Sequence, residues 1–191
     1  MMQPTASERL KDEVKAKLAF AGRSSAGSRL AASRTSSMGK FSVALATTSA
    51  CRECARLLVD QLGEHGIKES TQRLTRILED ATSDATRGFL MLARDSGRVV
   101  GVAYVATILS VEHCGPVAWL EELYVLPEHR SRGVGSTLLT AVLERARSTG
   151  VVAMDLEIDA DHSRAESLYR RYGFRPLERS RWVKEFTNDA S

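Results

Sequence analysis

Two arginines and two glycines stand between an apolar stretch and a helix-like run in the segment LPEHRSRGVGSTLL, residues 126–139. Glycine permits tight turns and lets another group come close to the backbone. The free N–H groups at the start of a helix bind anions, and the helix dipole favours negative charge there. The guanidinium groups of Arg130 and Arg132 add donors suited to phosphate oxygens. This spacing predicts a pyrophosphate-binding turn that leads into a helix near Gly133.

Two common phosphate-binding patterns are absent. A Walker A loop needs Gly-Lys-Ser/Thr, which the segment does not contain. The dinucleotide-binding fingerprint needs a third glycine where Leu138 stands, and no early β-α-β unit frames the segment. The pattern Arg-x-x-Gly-x-Gly is weak by itself, because a plain turn with solvated arginines also fits it.

Hydrophobic periodicity predicts the elements on either side of this turn. The order β-α-α-β-β-β-α-β-α-β is that of an α+β, mixed α/β fold with one parallel crossover. A capping box of Ser163 and Glu166 is expected to start the last helix, and Gly150 and Gly173 to end the last two. Strands are predicted at 41–47, 117–126, 151–158 and 181–186, with a hairpin turning at 95–97, and helices around 55–62, 74–81, 138–146 and 165–172.

Length and composition limit the class of protein. The 191 residues suit one domain with a tail, and no run approaches the roughly 18 apolar residues of a membrane span. The net charge of +3 comes from residues 1–37, which hold seven basic and three acidic residues, while 38–191 hold 20 and 21. We therefore expect a single folded domain at 38–191 that binds neither nucleic acid nor a membrane.

The first 37 residues read as a disordered, basic tail rich in Ser, Ala and Arg, which we expect to be dispensable. Met38, directly before the first predicted strand, is a candidate start. The three cysteines favour a reducing, cytoplasmic compartment. Cys51 and Cys54 form a lone CxxC, which we interpret as two small residues near a helix start rather than a zinc or redox site.

Two segments, in the right order and at suitable spacing, resemble the GNAT-type N-acetyltransferase family. LEELYVLPEHRSRGVGSTLL carries Arg130, Gly133 and Gly135 at the family's Arg/Gln-x-x-Gly-x-Gly/Ala signature. DADHSRAESLYRRYGF resembles the second signature, a helix that carries Leu-Tyr and ends in Gly-Phe. The resemblance covers about 41–187 and implies a strongly twisted mixed sheet, flanked by about four helices, whose central parallel strands splay apart.

The resemblance also implies acetyl-CoA as co-substrate, lying between the splayed strands. Its pantetheine would pair with the backbone of Leu123, Tyr124 and Val125. Family members often carry a cofactor-contacting Asn where this chain has His162, whose imidazole can also donate a hydrogen bond. The pyrophosphate would meet the backbone amides of Arg130, Ser131, Arg132, Gly133, Val134, Gly135 and Ser136.

Acetyl transfer to an amine needs a neutral amine, a stabilised carbonyl oxygen and a leaving thiolate. An amine with a pKa of about 10.4 is neutral in roughly one molecule in a few thousand at pH 7, so a carboxylate must take its proton. Glu121 and Glu122 are the candidates, and strand alternation predicts that they face opposite sides. Glu157 is a weaker candidate. Tyr169 matches the family's general-acid tyrosine, whereas Tyr172 is expected to be structural.

The predicted reaction is transfer of an acetyl group from acetyl-CoA to the primary amine of a small molecule, by direct attack in a ternary complex. Diamines, aminoglycosides and amino acids fit as acceptors, and the paired acids have some similarity to polyamine acetyltransferases. A protein or peptide amine stays open, as do a homodimer and a non-catalytic acyl-CoA sensor, although a pure binder needs neither Tyr169 nor a strand acid. The four histidines show no ligand spacing, so no metal is expected.

Overall fold

A computed structural model describes residues 41–159, 162–184 and 186. The predicted tail and Met38 lie outside the described residues. Within them the chain forms a five-stranded sheet and four α-helices, in the predicted order without the final strand. The elements are β1 (Phe41–Leu45), α1 (Cys51–Glu64), α2 (Thr71–Ser83), β2 (Gly88–Asp95), β3 (Arg98–Ser110), β4 (Gly115–Val125), α3 (Val134–Ser148), β5 (Ala153–Leu156) and α4 (Ser163–Arg171).

The strands lie in the sheet in chain order. The first four are antiparallel and β5 runs parallel to β4, so α3 forms the predicted crossover. The turn between β2 and β3 falls at Ser96 and Gly97, whose positive φ angles of 51° and 86° match a type I′ hairpin. The mixed α/β fold predicted for the chain is therefore confirmed.

Helices α1 and α3 cover opposite faces of the sheet. On one face, α1 reaches Tyr124 of β4 through its Glu64. On the other face, α3 approaches β3 at Gly101, where an added Cβ would lie 2.9 Å from Leu138 Cδ1. Glycine at this position lets the buried side of α3 lie directly against the strand, and the core forms on both faces around the central strands.

The parallel pairing of β5 with β4 is short. It joins Val117–Leu120 to Ala153–Leu156, and β5 ends there. β4 continues to Val125 with β3 on one side and no described strand on the other. The central strands therefore separate as the family resemblance implied, and one edge of β4 stays open.

A β-bulge interrupts β4 at its two adjacent acids. Tyr104 of β3 pairs with Glu122 while Val105 pairs with Leu120, so Glu121 is the extra residue. The two residues of a bulge oppose the same partner residue, which removes the regular alternation of sides. The predicted placement of Glu121 and Glu122 on opposite faces is therefore wrong.

Two further sequence predictions need correction. The strand expected at 181–186 is wrong for residues 181–184 and 186, which form no strand; Trp182 and Val183 are exposed, and no backbone pairing holds them. The capping box is also wrong, because Ser163 is already the first helical residue and makes no capping hydrogen bond. Glu166 instead accepts a hydrogen bond from Arg170 Nε at 2.8 Å.

The CxxC cysteines behave as packing residues. Cys51 and Cys54 are buried free thiols at the start of α1. Burial raises the pKa of both thiols, that of Cys54 to about 12. A thiol that stays protonated is a poor nucleophile and a poor metal ligand. None of the described helices has the length and hydropathy to cross a bilayer.

We predict that Leu138→Ala lowers the free energy of unfolding by about 2–5 kcal/mol, because Leu138 is fully buried between α3 and the sheet. Chemical denaturation measures the change. The matched control is Leu109→Ala, at a leucine that is 86% exposed, which should shift stability by less than about 0.5 kcal/mol. Equal losses in the two variants would contradict the packing described for α3.

Candidate active site

The glycine-containing turn follows the open end of β4. After a 3₁₀ turn at Pro127–His129, the chain passes through Ser131 and Gly133, both with positive φ, and enters α3. The N–H groups of residues 131–136 donate no hydrogen bond to a described residue. Successive free amides of this kind form an anion-binding concavity, which the helix dipole strengthens.

The run of amides without a described partner is one residue shorter than the predicted run, which began at Arg130. The N–H of Arg130 donates to the carbonyl of Pro127 at 3.2 Å, and the N–H of Thr137 donates to Gly133 at 3.0 Å. The free donors therefore begin at Ser131 rather than at Arg130, and they end at Ser136 as expected.

The two arginines of the turn are paired with carboxylates. Arg130 Nη2 lies 2.9 Å from Glu64 Oε1, and Arg130 Nε donates to the carbonyl of Val125 at 2.8 Å. Arg132 pairs with Asp95 at 3.3 Å, close to His129, whose Nε2 lies 3.5 Å from the same carboxylate. In this arrangement the side chains anchor the turn to α1 and to the β2–β3 hairpin, which leaves the backbone amides as the free donors.

Glu64 links α1 to both β4 and the turn. It accepts hydrogen bonds from the Tyr124 hydroxyl at 2.7 Å and from Arg130. Desolvation raises the pKa of Glu64, but the bonds from Tyr124 and Arg130 outweigh it, so the pKa is lowered overall. The Tyr124 ring also lies under the Arg130 guanidinium, 5.3 Å from its centre. The backbone of β4 thus ends in a fixed position relative to the turn.

The two strand acids come together on one side of β4. Glu122 accepts a hydrogen bond from the Gln61 amide of α1. Desolvation raises its pKa, the Gln61 bond opposes the rise, and repulsion by Glu121 adds to it. The Glu121 side chain keeps solvent contact, yet desolvation raises its pKa too. An acid with a raised pKa, next to a second acid, suits proton transfer and the binding of a cation.

Tyr169 of α4 lies within electrostatic reach of the acidic pair. Its side chain is buried against Phe174, with the ring centres 5.6 Å apart. Desolvation, with the charge of Glu122 as the smaller cause, raises its pKa to about 12. Its hydroxyl forms no hydrogen bond to a described residue, so this proton is available to another group.

Tyr172 is structural, as expected. Its hydroxyl donates to the carbonyl of Ser136 at 2.8 Å and contacts the Thr140 hydroxyl at 2.9 Å. These bonds hold the end of α4 against the first turn of α3. Leu168 of α4 packs near Gly135 on the same side, close to Leu123 of β4. The turn, the end of β4 and the helix that carries Tyr169 are therefore joined by direct packing.

The two remaining candidates, His162 and Glu157, each lie beside another ionisable side chain. His162, at the N-terminal end of α4, is half exposed; its Nδ1 lies 3.8 Å from Asp159, and its ring meets that of His65 edge-on. Glu157, just beyond β5, is paired with Arg181. Among residues 41–159, 162–184 and 186, no three His, Cys, Asp or Glu side chains are grouped to hold a metal ion.

Sequence reasoning missed Gln61 and Glu64, the residues of α1 that hold Glu122 and Tyr124. Their spacing of three places them on one face of the helix, which is the available signal. This spacing could not be linked to Glu122 and Tyr124, because the sequence does not show that α1 crosses this part of β4.

Comparison with known proteins identifies the family and the fold. Residues 52–174 match the acetyltransferase (GNAT) family, a stretch that contains both quoted segments. A predicted acetyltransferase from Clostridium acetobutylicum, solved with acetyl-CoA, has a TM-score of 0.64 at 16% identity, covering 75% of this chain and 96% of that one. The match confirms the family resemblance, and the structural likeness confirms the fold.

Relatives with named acceptors are matched over part of their length. A mycothiol acetyltransferase from Arthrobacter sp. is 35% identical over 114 residues, 58% of this chain and 34% of the relative. An aminoalkylphosphonate N-acetyltransferase from Salmonella typhimurium is 31% identical over 84 residues, 44% of this chain and 54% of the relative. The chain thus spans about a third of the length of the mycothiol acetyltransferases that it matches.

We predict that Glu64→Gln destabilises the protein at pH 7 and that the difference from wild type shrinks in acid. Because folding lowers the pKa of Glu64, its contribution is present above the unfolded value of about 4.3 and is lost as pH falls through the folded value. Chemical denaturation between pH 3 and 7 measures this. Glu144→Gln, on the exposed side of α3, is the control. A loss that is constant across this pH range would refute the role given to Glu64.

Proposed function

The chain belongs to the acetyltransferase (GNAT) family, and from this premise we propose that it transfers the acetyl group of acetyl-CoA to the primary amine of a small molecule. The amine attacks directly within a ternary complex. The observation that carries the proposal is the run of amides at 131–136 with no described hydrogen-bond partner, which follows the open edge of β4 and packs at Gly135 near Leu168, the residue before Tyr169.

Acetyl-CoA would be held by backbone groups. The amides of 131–136 meet its pyrophosphate, and the pantetheine pairs with the open edge of β4 around Leu123 to Val125. The Val125 carbonyl already accepts from Arg130, so the groups left for pairing lie before it. An amide of this region also stabilises the negative charge that develops on the carbonyl oxygen. The family resemblance places His162 where members often carry a cofactor-contacting Asn.

The acidic pair would bind the acceptor ammonium and take its proton. Glu122, held by Gln61, is the better placed base, and Glu121 adds negative charge beside it. Because the pKa of Glu122 is raised, its carboxylate becomes available as a base only above the pH at which an ordinary glutamate ionises. Neutral to basic solution therefore favours the reaction.

Tyr169 would assist the departure of the thiolate. With a pKa of about 12 its hydroxyl stays protonated through the neutral and moderately basic range. It donates a hydrogen bond to the sulfur as the C–S bond breaks. An apolar cleft raises the pKa of the leaving thiol, which favours transfer of the proton from the tyrosine to the sulfur.

A small-molecule acceptor is supported by relatives named for such acceptors, including the aminoalkylphosphonate enzyme. The direct test is release of free thiol from acetyl-CoA by the full chain with a panel of diamines, aminoglycosides, amino acids and short peptides. Release with one class of small amine is the expected result. Release with peptides alone would overturn the small-molecule acceptor, and no release with any member would overturn the enzyme itself.

We predict that Tyr169→Phe lowers kcat for this reaction about a hundredfold, because the general acid is lost while the ring and its packing remain. Affinity for acetyl-CoA, measured by calorimetry, should stay the same. Tyr172→Phe is the matched control: it loses a structural hydrogen bond worth about 1 kcal/mol of stability and keeps a kcat close to wild type. Similar kcat values for the two variants would remove Tyr169 from the mechanism.

We also predict that Gly133→Ala weakens acetyl-CoA binding about tenfold, since an L side chain at a φ of 87° costs about 1–2 kcal/mol and displaces the amides that follow. Gly135→Ala is the control within the same turn. Its added Cβ would have no neighbour closer than 3.8 Å, so the backbone need not move. Equal affinities of wild type and Gly133→Ala would argue against these amides as the pyrophosphate site.

A further inference from the structure

The chain beyond α4 is held to the rest of the protein by side chains. Residues 175–184 form no backbone hydrogen bond to a described residue. Arg179 makes two hydrogen bonds to Glu112, at 2.8 and 2.7 Å, and Arg181 pairs with Glu157. All four side chains are substantially exposed, and exposed ion pairs contribute about 0–1 kcal/mol each. This segment can therefore be displaced at low cost.

The Arg181 guanidinium lies in a cluster of groups that bind cations. It sits over the Trp119 ring, 5.5 Å from its centre, while it pairs with Glu157. Its positive charge also lowers the pKa of Glu121, against the larger rise caused by desolvation. An aromatic face with carboxylates beside it is a favourable place for an organic cation.

This cluster adjoins the proposed acceptor site. Trp119 pairs with Ala106 and Glu122 pairs with Tyr104, and the two β3 residues are separated by two positions. Trp119 and Glu122 therefore lie on the same face of the sheet. They are three positions apart along the strand, so their Cα atoms are at most about 10 Å apart. The side chains at these two positions can therefore reach the two ends of a short aliphatic diamine.

We propose that Trp119, Glu157 and Glu121 form a second cation subsite, which binds the distal ammonium of an aliphatic diamine while its reacting amine lies at Glu122. The inference rests on the proposed function and adds the acceptor class to it. Arg181 fills the subsite in this structure and leaves when the diamine binds. The exchange replaces one cation by another, so Glu121 and Glu157 keep a positive partner.

The test compares amines of equal length that differ in the second charge, 1,4-diaminobutane against butylamine, by thiol release from acetyl-CoA with the full chain. We expect the KM of the diamine to be at least tenfold lower. Arg181→Ala should lower the diamine KM severalfold further and leave that of butylamine unchanged. Trp119→Leu and Glu157→Gln should each raise the diamine KM and spare that of butylamine.

Arg179→Ala is the matched control, because it removes the other ion pair of the same segment and leaves the subsite intact. It should not change the ratio of the two KM values. The subsite would be overturned if Arg179→Ala and Arg181→Ala changed the diamine KM equally, or if the diamine KM were no lower than that of butylamine. In either case, turnover of butylamine would leave the proposed function intact. If no amine is turned over, calorimetry of 1,4-diaminobutane with Arg181→Ala in the presence of CoA still decides: absence of binding overturns the subsite.

Discussion

The parallel pairing between β4 and β5 stops after Leu120 and Leu156, and among the described residues no strand lies beside that edge of β4 further on. Backbone groups in a cleft need hydrogen-bond partners, so this edge calls for an extended ligand that can supply them. The turn after Val125 adds further donors, since the amides of 131–136 have no hydrogen-bond partner among the described residues. A ligand with an amide-bearing chain and a pyrophosphate satisfies both sets of groups.

The surrounding side chains keep these backbone groups in place and free of competing partners. Glu64 and Asp95 bind the arginines of the turn from opposite sides, so the loop is anchored without using its own amides. Tyr172 fixes α4 to the first turn of α3, and the charge of Glu122 contributes, after desolvation, to the raised pKa of Tyr169 on the same helix. In the proposed site, β4, α3 and α4 thereby supply the donors for the cofactor, the proton donor and the acidic pair.

The turn before α3 and the segment that carries Tyr169 were predictable because both depend on local sequence. Glycine at 133 and the run that follows it indicated the anion-binding turn, and Tyr169 lay within a recognisable segment. The bulge at Glu121 was not predicted. In the structure Leu120 and Leu123 lie on the same face of the sheet as Val105. Residues three apart in a regular strand lie on opposite faces, so two leucines at this spacing were the available signal. The pairing of Arg130 with Glu64 depends on tertiary packing between residues far apart in sequence. The final strand was predicted from local sequence alone, which does not provide a neighbouring strand.

The most direct test of this account is an amide NMR titration of the isotopically labelled full chain with CoA. We expect the largest chemical-shift changes on the backbone amides of 131–136 and on the end of β4 around Leu123. Saturable shifts confined to other parts of the chain would contradict it, as would the absence of any shift at millimolar CoA.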